Sequence, residues 1–498
     1  MRLLHTSPMR QRGDRCGCRS DPLLVPLAGV SLAIRAGIVA AACWLQLNAA
    51  VAEERGWEFE PYRIDAVIAI DAPGGLAEKL ADKLPLHLQR RVTAAIGPAW
   101  SFTPHVASSL QRQIVLSEIT TLADAPSSEL PNEGDKLLLI SVRWRPDGCH
   151  ITTREFDRYV ERWGMPIHRQ SRQVEMLGEQ IFVLVWQTVA PLARFEAESN
   201  DDRRVVLQPR AAGLPRPSAD ATWCQAGDVF LPLARRTTRD GELVEGGVQV
   251  VPWTYIEAEE VAEEHIIGRV HSGTRQPLPA RRQGRIEPVA IALRGDPGDT
   301  VLRLHSRTAS EKPLVGYEVF AQHDGQQTPD PIGSSDRHGR IAIPTGETRV
   351  QTLFVKSGGQ LLARFPIVPG AEREVEVPLP DDDVRLAAEA RLAALREEVV
   401  DVVARRNILM ARARQKIEAS DFAAAQELLQ SLDELPSRAQ FNLTLTTAAR
   451  LLRSDDPQIQ RRIDQLFAAT QTVVNQYLDV RPISQLHDEL REAQRQGT

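Results

Sequence analysis

Cysteine is scarce in this chain and nowhere grouped. Of five in 498 residues, Cys16, Cys18 and Cys43 fall within the first 52 positions, leaving Cys149 and Cys224 for the rest. No Cys-x-x-Cys pair occurs, which argues against a dithiol redox motif or a zinc ribbon. The eleven histidines are dispersed. There is no His-x-His and no His-Glu-x-x-His, and Glu263-Glu264-His265 lacks the second histidine that a zinc-binding helix needs. Gly-x-Ser-x-Gly, the phosphate-binding Gly-x-x-x-x-Gly-Lys-Ser/Thr loop and Gly-x-Gly-x-x-Gly are all missing, so three large enzyme classes lose their sequence support. A glycosidase with two distant acids leaves no such trace and is not addressed by these absences. No cofactor is expected. Lysine is nearly absent too, at Lys79, Lys83, Lys136, Lys312, Lys356 and Lys416 only. A coding bias toward arginine explains this most simply; selection for bidentate anion binding is the other reading.

Charge narrows the partners. The formal net charge is −6. Residues 1–52 carry six arginines against Asp14 and Asp21, a net of +4, so the chain without them stands at −10. An acidic body of this kind is unsuited to nucleic acid, whose phosphates need a basic face. The basic N-terminal stretch leads into the apolar run Ala36–Ala52, the length of a signal-peptide core and short for a membrane span. Small residues at Ala50-Val51-Ala52 predict export with cleavage after Ala52. Membrane contact is expected only through an uncleaved leader that also uses residues 22–34, which Arg35 would interrupt. Ala40 stands where a lipoprotein signal before Cys43 carries Leu. In an oxidising compartment Cys149 and Cys224 are a possible disulfide; two separately buried thiols is the alternative.

The length exceeds a single core, and composition changes along the chain. The expected fold class is multi-domain α+β: a small mixed α/β domain over 57–198, a linker over 199–222, a small β-barrel over 223–300, an antiparallel β-sandwich over 301–380 and a helical bundle over 384–498. In the first domain, 64–71 and 136–144 alternate as strands, and 76–96 has helical spacing interrupted by Pro85. Pro146-Asp147-Gly148 marks a turn into a third strand near 149–151. Thr152 and Glu155 read as a capping box for a helix carrying Phe156, Tyr159, Val160 and Trp163, and 180–190 reads as a buried strand. Closely spaced turn signals over 223–300, and six short strand patterns over 301–380, give the two β-modules. From 384 onward glycine almost disappears, and helices are expected over 384–415, 421–434, 437–453 and 457–479 or beyond, with Asp383 capping the first and Asp455-Asp456-Pro457 opening the last.

The densest group of chemical side chains is Ser334, Ser335, Asp336 and His338 in IGSSDRHGRIAIP. A triad needs groups converging from distant segments, so this stretch is expected to be a hairpin turn, with 330–334 and 340–343 pairing across it. Together with GYEVFAQ and LFVKSGG, it resembles the transthyretin-like or carboxypeptidase-regulatory-like modules, with Ser335 where Thr is usual. The resemblance implies a noncatalytic accessory sandwich over 313–380. Residues 417–436, IEASDFAAAQELLQSLDELP, resemble the turn and second helix of a tetratricopeptide hairpin, with Phe422, Ala425, Leu428 and Leu429 as packing residues. Solenoids need about three repeats, so a bundle is preferred.

Asp71 ends an apolar strand before Ala72-Pro73-Gly74-Gly75 and a helix, the position of metal- or phosphate-binding carboxylates in α/β sheets, and is the one candidate metal ligand. The alternative is a turn former. Trp144, Trp223 and Trp253 are candidates for stacking on sugars, or core residues. The resulting expectation is an exported, noncatalytic cell-envelope protein that binds a protein or envelope component, with no nucleic-acid partner. A hydrolase or metal-dependent enzyme around Asp71, or a carbohydrate-binding protein, are the alternatives.

Overall fold

The computed structural model describes residues 56–496, apart from 124, 199–200, 219–221, 240, 263, 275–277, 279–284 and 296–297. The expected leader over 1–52, with its cleavage after Ala52, lies outside the described residues.

The first sheet is built on β1 (Tyr62–Asp71), with β2 (Trp100–Val106) and β3 (Lys136–Arg145) parallel on either side of it. α1 (Gly75–Ala95) connects β1 to β2, and α2 (Ser109–Glu118) connects β2 to β3. α1 continues through Pro85. α2 starts with a capping box in which Ser108 and Gln111 satisfy each other's backbone amides. The strand β4 (Gly148–Asp157) pairs antiparallel with β3 over ten residues and also with β5 (Arg162–Trp163) and β6 (Ile167–Ser171).

Two expectations reverse here. Residues 152–157 are strand, not a capped helix: Glu155 and Asp157 lie two apart on one face of β4, opposite Lys136. Residues 180–190 fall mostly in a helix, α3 (Leu177–Thr188), not a strand. Ile181, Leu184, Val185 and Thr188 are its buried stripe at helical spacing, concealed in a run that is apolar throughout.

The barrel is larger than expected and begins earlier. β7 (Leu192–Glu198) and β8 (Asp201–Pro209) join β9 (Val229–Thr237), β11 (Thr254–Val261), β12 (Ile266–Ser272) and β13 (Ile286–Ala292); pairing of β9 with β13 closes the ring. β10 (Leu243–Val250) forms a hairpin with β9 outside the ring. Much of the expected linker over 199–222 is therefore barrel wall: Val205 and Leu207 of β8 are fully buried behind the charged run that precedes them. One continuous core runs from the first sheet into the barrel, from Ile64 and Leu138 to Phe230 and Val289.

The sandwich stacks a three-stranded sheet of β17 (Arg340–Ile343), β14 (Thr300–Ser306) and β20 (Glu374–Leu379) on a four-stranded sheet of β16 (Asp330–Ser334), β15 (Glu318–Gln322), β18 (Gln351–Ser357) and β19 (Gln360–Ile367). Its pairings are antiparallel except β14–β20, which run parallel. β16 and β17 do not pair with each other, contrary to expectation. β16 pairs β15 and β17 pairs β14, so the turn between them carries the chain from one sheet to the other.

The helical region opens with α4 (Asp383–Glu418), whose buried Ala388, Leu392, Leu395, Val399, Val402 and Arg406 alternate in steps of four and three, a coiled-coil-like stripe. α5 (Phe422–Asp433) and α8 (Arg481–Gln496) pack on its C-terminal half around Ala413, Leu429 and Leu486. α6 (Arg438–Leu451) packs on α7 (Pro457–Tyr477), which packs on the rest of α4, around Phe441 and Ile463. The last expected helix, 457–479, is α7, with Asp456 as N-cap and Pro457 at its first position, and α8 follows it as a separate helix. The cap residue of α4 is Asp382 rather than Asp383. Its carboxylate is occupied by Arg385, with Nε and Nη2 at 2.7 and 2.5 Å, instead of by helix amides. Arg385 also donates to Ser357 O, and the Asp382 amide donates to the Tyr317 hydroxyl, which fixes the helix to the sandwich. Among the described residues, no helix is long and apolar enough to cross a membrane.

Candidate functional site

Asp71 stands at the carboxyl end of β1, between β2, to which β1 connects, and β3, which the chain reaches from β2 by crossing β1; such a reversal in strand order is where these sheets receive ligands. Its neighbours, however, are cationic. Arg112 of α2 and Arg145 of β3 each approach its carboxylate to 3.9 Å. Metal-assisted chemistry needs further acids in the first coordination shell. Among the described residues, no group of three His, Cys, Asp or Glu side chains is placed to hold an ion.

The Ser334–His338 stretch is not a convergent triad. Ser335 is buried, donating to Leu314 O at 2.6 Å and accepting from the Tyr317 amide. Asp336 accepts from the amides of His338 and Arg340, which holds its carboxyl below the usual range. Gly339 takes the left-handed conformation, at φ 72°. Trp223 is buried among Tyr62, Trp100 and Trp186, Trp253 lies against Phe365, and Trp144 packs against the main core. Cys149 and Cys224 are separate, buried, free thiols, and burial pushes them up to about 11 and about 12.

Two constellations escaped the sequence reading. The first is a dry ionic cluster. Lys136 Nζ lies 2.5 Å from both Glu155 Oε1 and Asp157 Oδ2 and donates to Ala190 O at 2.7 Å. Glu155 Oε2 accepts from the Ala190 amide, and Asp157 Oδ1 from the amides of Tyr159 and Val160. The three side chains are 0–2% exposed. With one ammonium for two carboxylates, the cluster carries an uncompensated negative charge. Glu155, which has fewer backbone donors than Asp157, takes that strain: desolvation pushes its pKa up to about 7. The cluster ties β3 and β4 to the connection between α3 and β7, where sheet meets barrel. A lysine, one of six, opening an otherwise apolar strand was the available signal.

The second is a cleft of about 540 Å³ where the first sheet, the barrel and the sandwich meet. Arg169 of β6, Arg294 beyond β13 and Arg349 before β18 line it, with Asp228 between the last two. Asp228 Oδ1 is 3.4 Å from Arg294 Nη1 and 3.3 Å from Arg349 Nη1, long for charged hydrogen bonds. Asp228 Oδ2 accepts from the Gln225 amide. An inner hollow of about 120 Å³, lined by Trp186 and Cys224, shares Gln187, Gln225, Asp228 and Arg294 with the cleft. These residues are distant in sequence, and no motif announces them.

No protein-family model matches the chain, and no curated protein matches it by sequence. Among solved structures, TolB of Acinetobacter baumannii is similar at 11% identity over 64% of this chain and 96% of that one, with a TM-score of 0.17. BcpA, the major pilin subunit of Bacillus cereus, is similar at 10% identity over 56% and 73%, with a TM-score of 0.12. Overlap this slight does not define a shared fold.

Proposed function

We propose that the chain is an exported, multi-domain protein of the cell envelope that binds a protein partner through its helical region, with the transthyretin-like sandwich as a spacer. Export rests on the N-terminal sequence. Binding through the tail rests on one observation: among the described residues, the four most exposed large apolar side chains all lie there, Leu451 at 79%, Leu443 at 69%, Val400 at 61% and Tyr477 at 56%. Ile408 follows Val400 by eight residues on α4, and Leu451 follows Leu443 by eight on α6, about two turns in each case. Exposed apolar surface in a soluble body marks interaction sites. The enzyme reading has less to stand on, since Asp71 faces arginines, and the tryptophans considered for sugar stacking are packed.

Leu443→Glu with Leu451→Glu tests this. Both sites are open to solvent, so thermal unfolding should be unchanged. Capture of a partner from envelope extract by the full chain should be lost. Undiminished capture by the double variant refutes the tail as the dock.

A further inference from the structure

We propose that the cleft at the junction of sheet, barrel and sandwich binds a small oxyanion, carboxylate or phosphate in type. Its charges are unbalanced. Arg169, Arg294 and Arg349 face one carboxylate, Asp228, for a net of +2 at the cleft wall. Asp228 is buried and is divided between Arg294 and Arg349, reaching neither closer than 3.3 Å. Arg294 spends Nη2 on Trp223 O at 2.6 Å, and Arg349 spends Nη2 on Leu293 O at 3.1 Å. The Arg294 Nε is buried without an acceptor. A buried donor left unpaired carries the full penalty of its desolvation, so the native state has reason to supply an acceptor. Burial and the nearby Arg294 also hold the Arg349 pKa below its ordinary value, as expected of two guanidiniums sharing one anion.

The rest of the lining fits an oxyanion. Thr345 lines it from the sandwich side, and Gln187 and Gln225 carry amides from the sheet and barrel sides; the Thr348 hydroxyl is already spent on Val350 O. The volume holds a small molecule. Because the residues come from three modules, a bound anion would also bridge them.

The test is isothermal titration of the full chain with inorganic phosphate and, separately, with succinate, in chloride buffer at low ionic strength. Saturable binding of either supports the site, and the tighter of the two identifies the headgroup. Arg349→Gln removes a half-exposed guanidinium and should weaken binding about tenfold or more, the equivalent of one charged hydrogen bond. Asp228→Asn keeps an acceptor for the Gln225 amide while removing the competing charge, and should strengthen binding. Opposite signs in the two variants cannot come from general destabilisation. The proposal is overturned if neither anion binds, or if both variants shift affinity in the same direction or not at all.

Discussion

Replacing Glu155 by Gln probes the buried ionic cluster where its charge is out of balance. A carboxyl that ordinarily titrates at 4.5 titrates here at about 7. Between those values the folded protein keeps a proton that the unfolded chain has released. Stability from this group is therefore greatest below about pH 4.5, falls as pH rises to about 7, and is level beyond. At about 1.4 kcal/mol per pH unit, the fall is on the order of 3 kcal/mol. Carboxyls held low, such as Asp135 and Asp456, act in the opposite sense and have finished titrating below about pH 5. Gln cannot ionise, so the variant should lack this slope, and subtracting the two curves removes the titrating groups outside the cluster. The assay is urea unfolding at pH 5, 6, 7 and 8, followed by tryptophan fluorescence. Trp100, Trp186 and Trp223 form one cluster with Tyr62, whose ring centre is 5.3 Å from Lys136 Nζ, so the probe reports on this region. Relative to the native chain, the variant should gain on the order of 3 kcal/mol from pH 5 to pH 8. A flat difference, or a variant that loses ground as pH rises, would mean that Lys136 holds Glu155 ionised, and the charge-imbalance argument would fail.

Two further substitutions test the joints of the molecule. Arg385→Ala strands the fully buried Asp382 carboxylate and should destabilise the sandwich–helix junction by about 3–5 kcal/mol, read as faster proteolysis around 380–385, with Arg385→Lys intermediate. Gly339→Ala places a Cβ 2.3 Å from Leu304 O at a backbone angle of φ 72°, so β14 and β17 should separate. Thermal unfolding of that variant should show a loss of roughly 1–3 kcal/mol or more.

The parts of the fold that were legible in the sequence are those whose side chains alternate against one partner. β1, β3 and α1 declared themselves through Ile64–Ile70, Ile140–Trp144 and Leu76–Val92. α3 did not, because a run apolar on every side has no period to read. β4 did so only at its start, near 149–151, because further along its inward face carries Thr153, Glu155 and Asp157, polar groups that belong to a buried network supplied by Lys136 from another strand. β8 was hidden by Asp201–Arg204, four charged residues at the mouth of a strand whose Val205 and Leu207 complete the barrel. The turn at Asp336–Gly339 was visible from its composition, but the strands it joins pair with β14 and β15, a tertiary choice that turn chemistry does not encode. The candidate sites follow the same rule. Asp71 was visible as a strand-end acid, whereas Arg112 and Arg145 beside it depend on the parallel crossover. The arginine cleft assembles residues from three modules and exists only once they are packed.

The central claim, partner binding by the exposed helical tail in the envelope, is tested most directly by site-specific photo-crosslinking in cells. A photoreactive residue is placed at Leu443 or Leu451, and at Val315 or Leu361 of the sandwich as exposed controls. Adducts to a protein of the periplasmic fraction at the two tail positions, and none at the controls, are the predicted result; adducts at the sandwich alone, or a chain retained in the cytoplasm, would contradict the account.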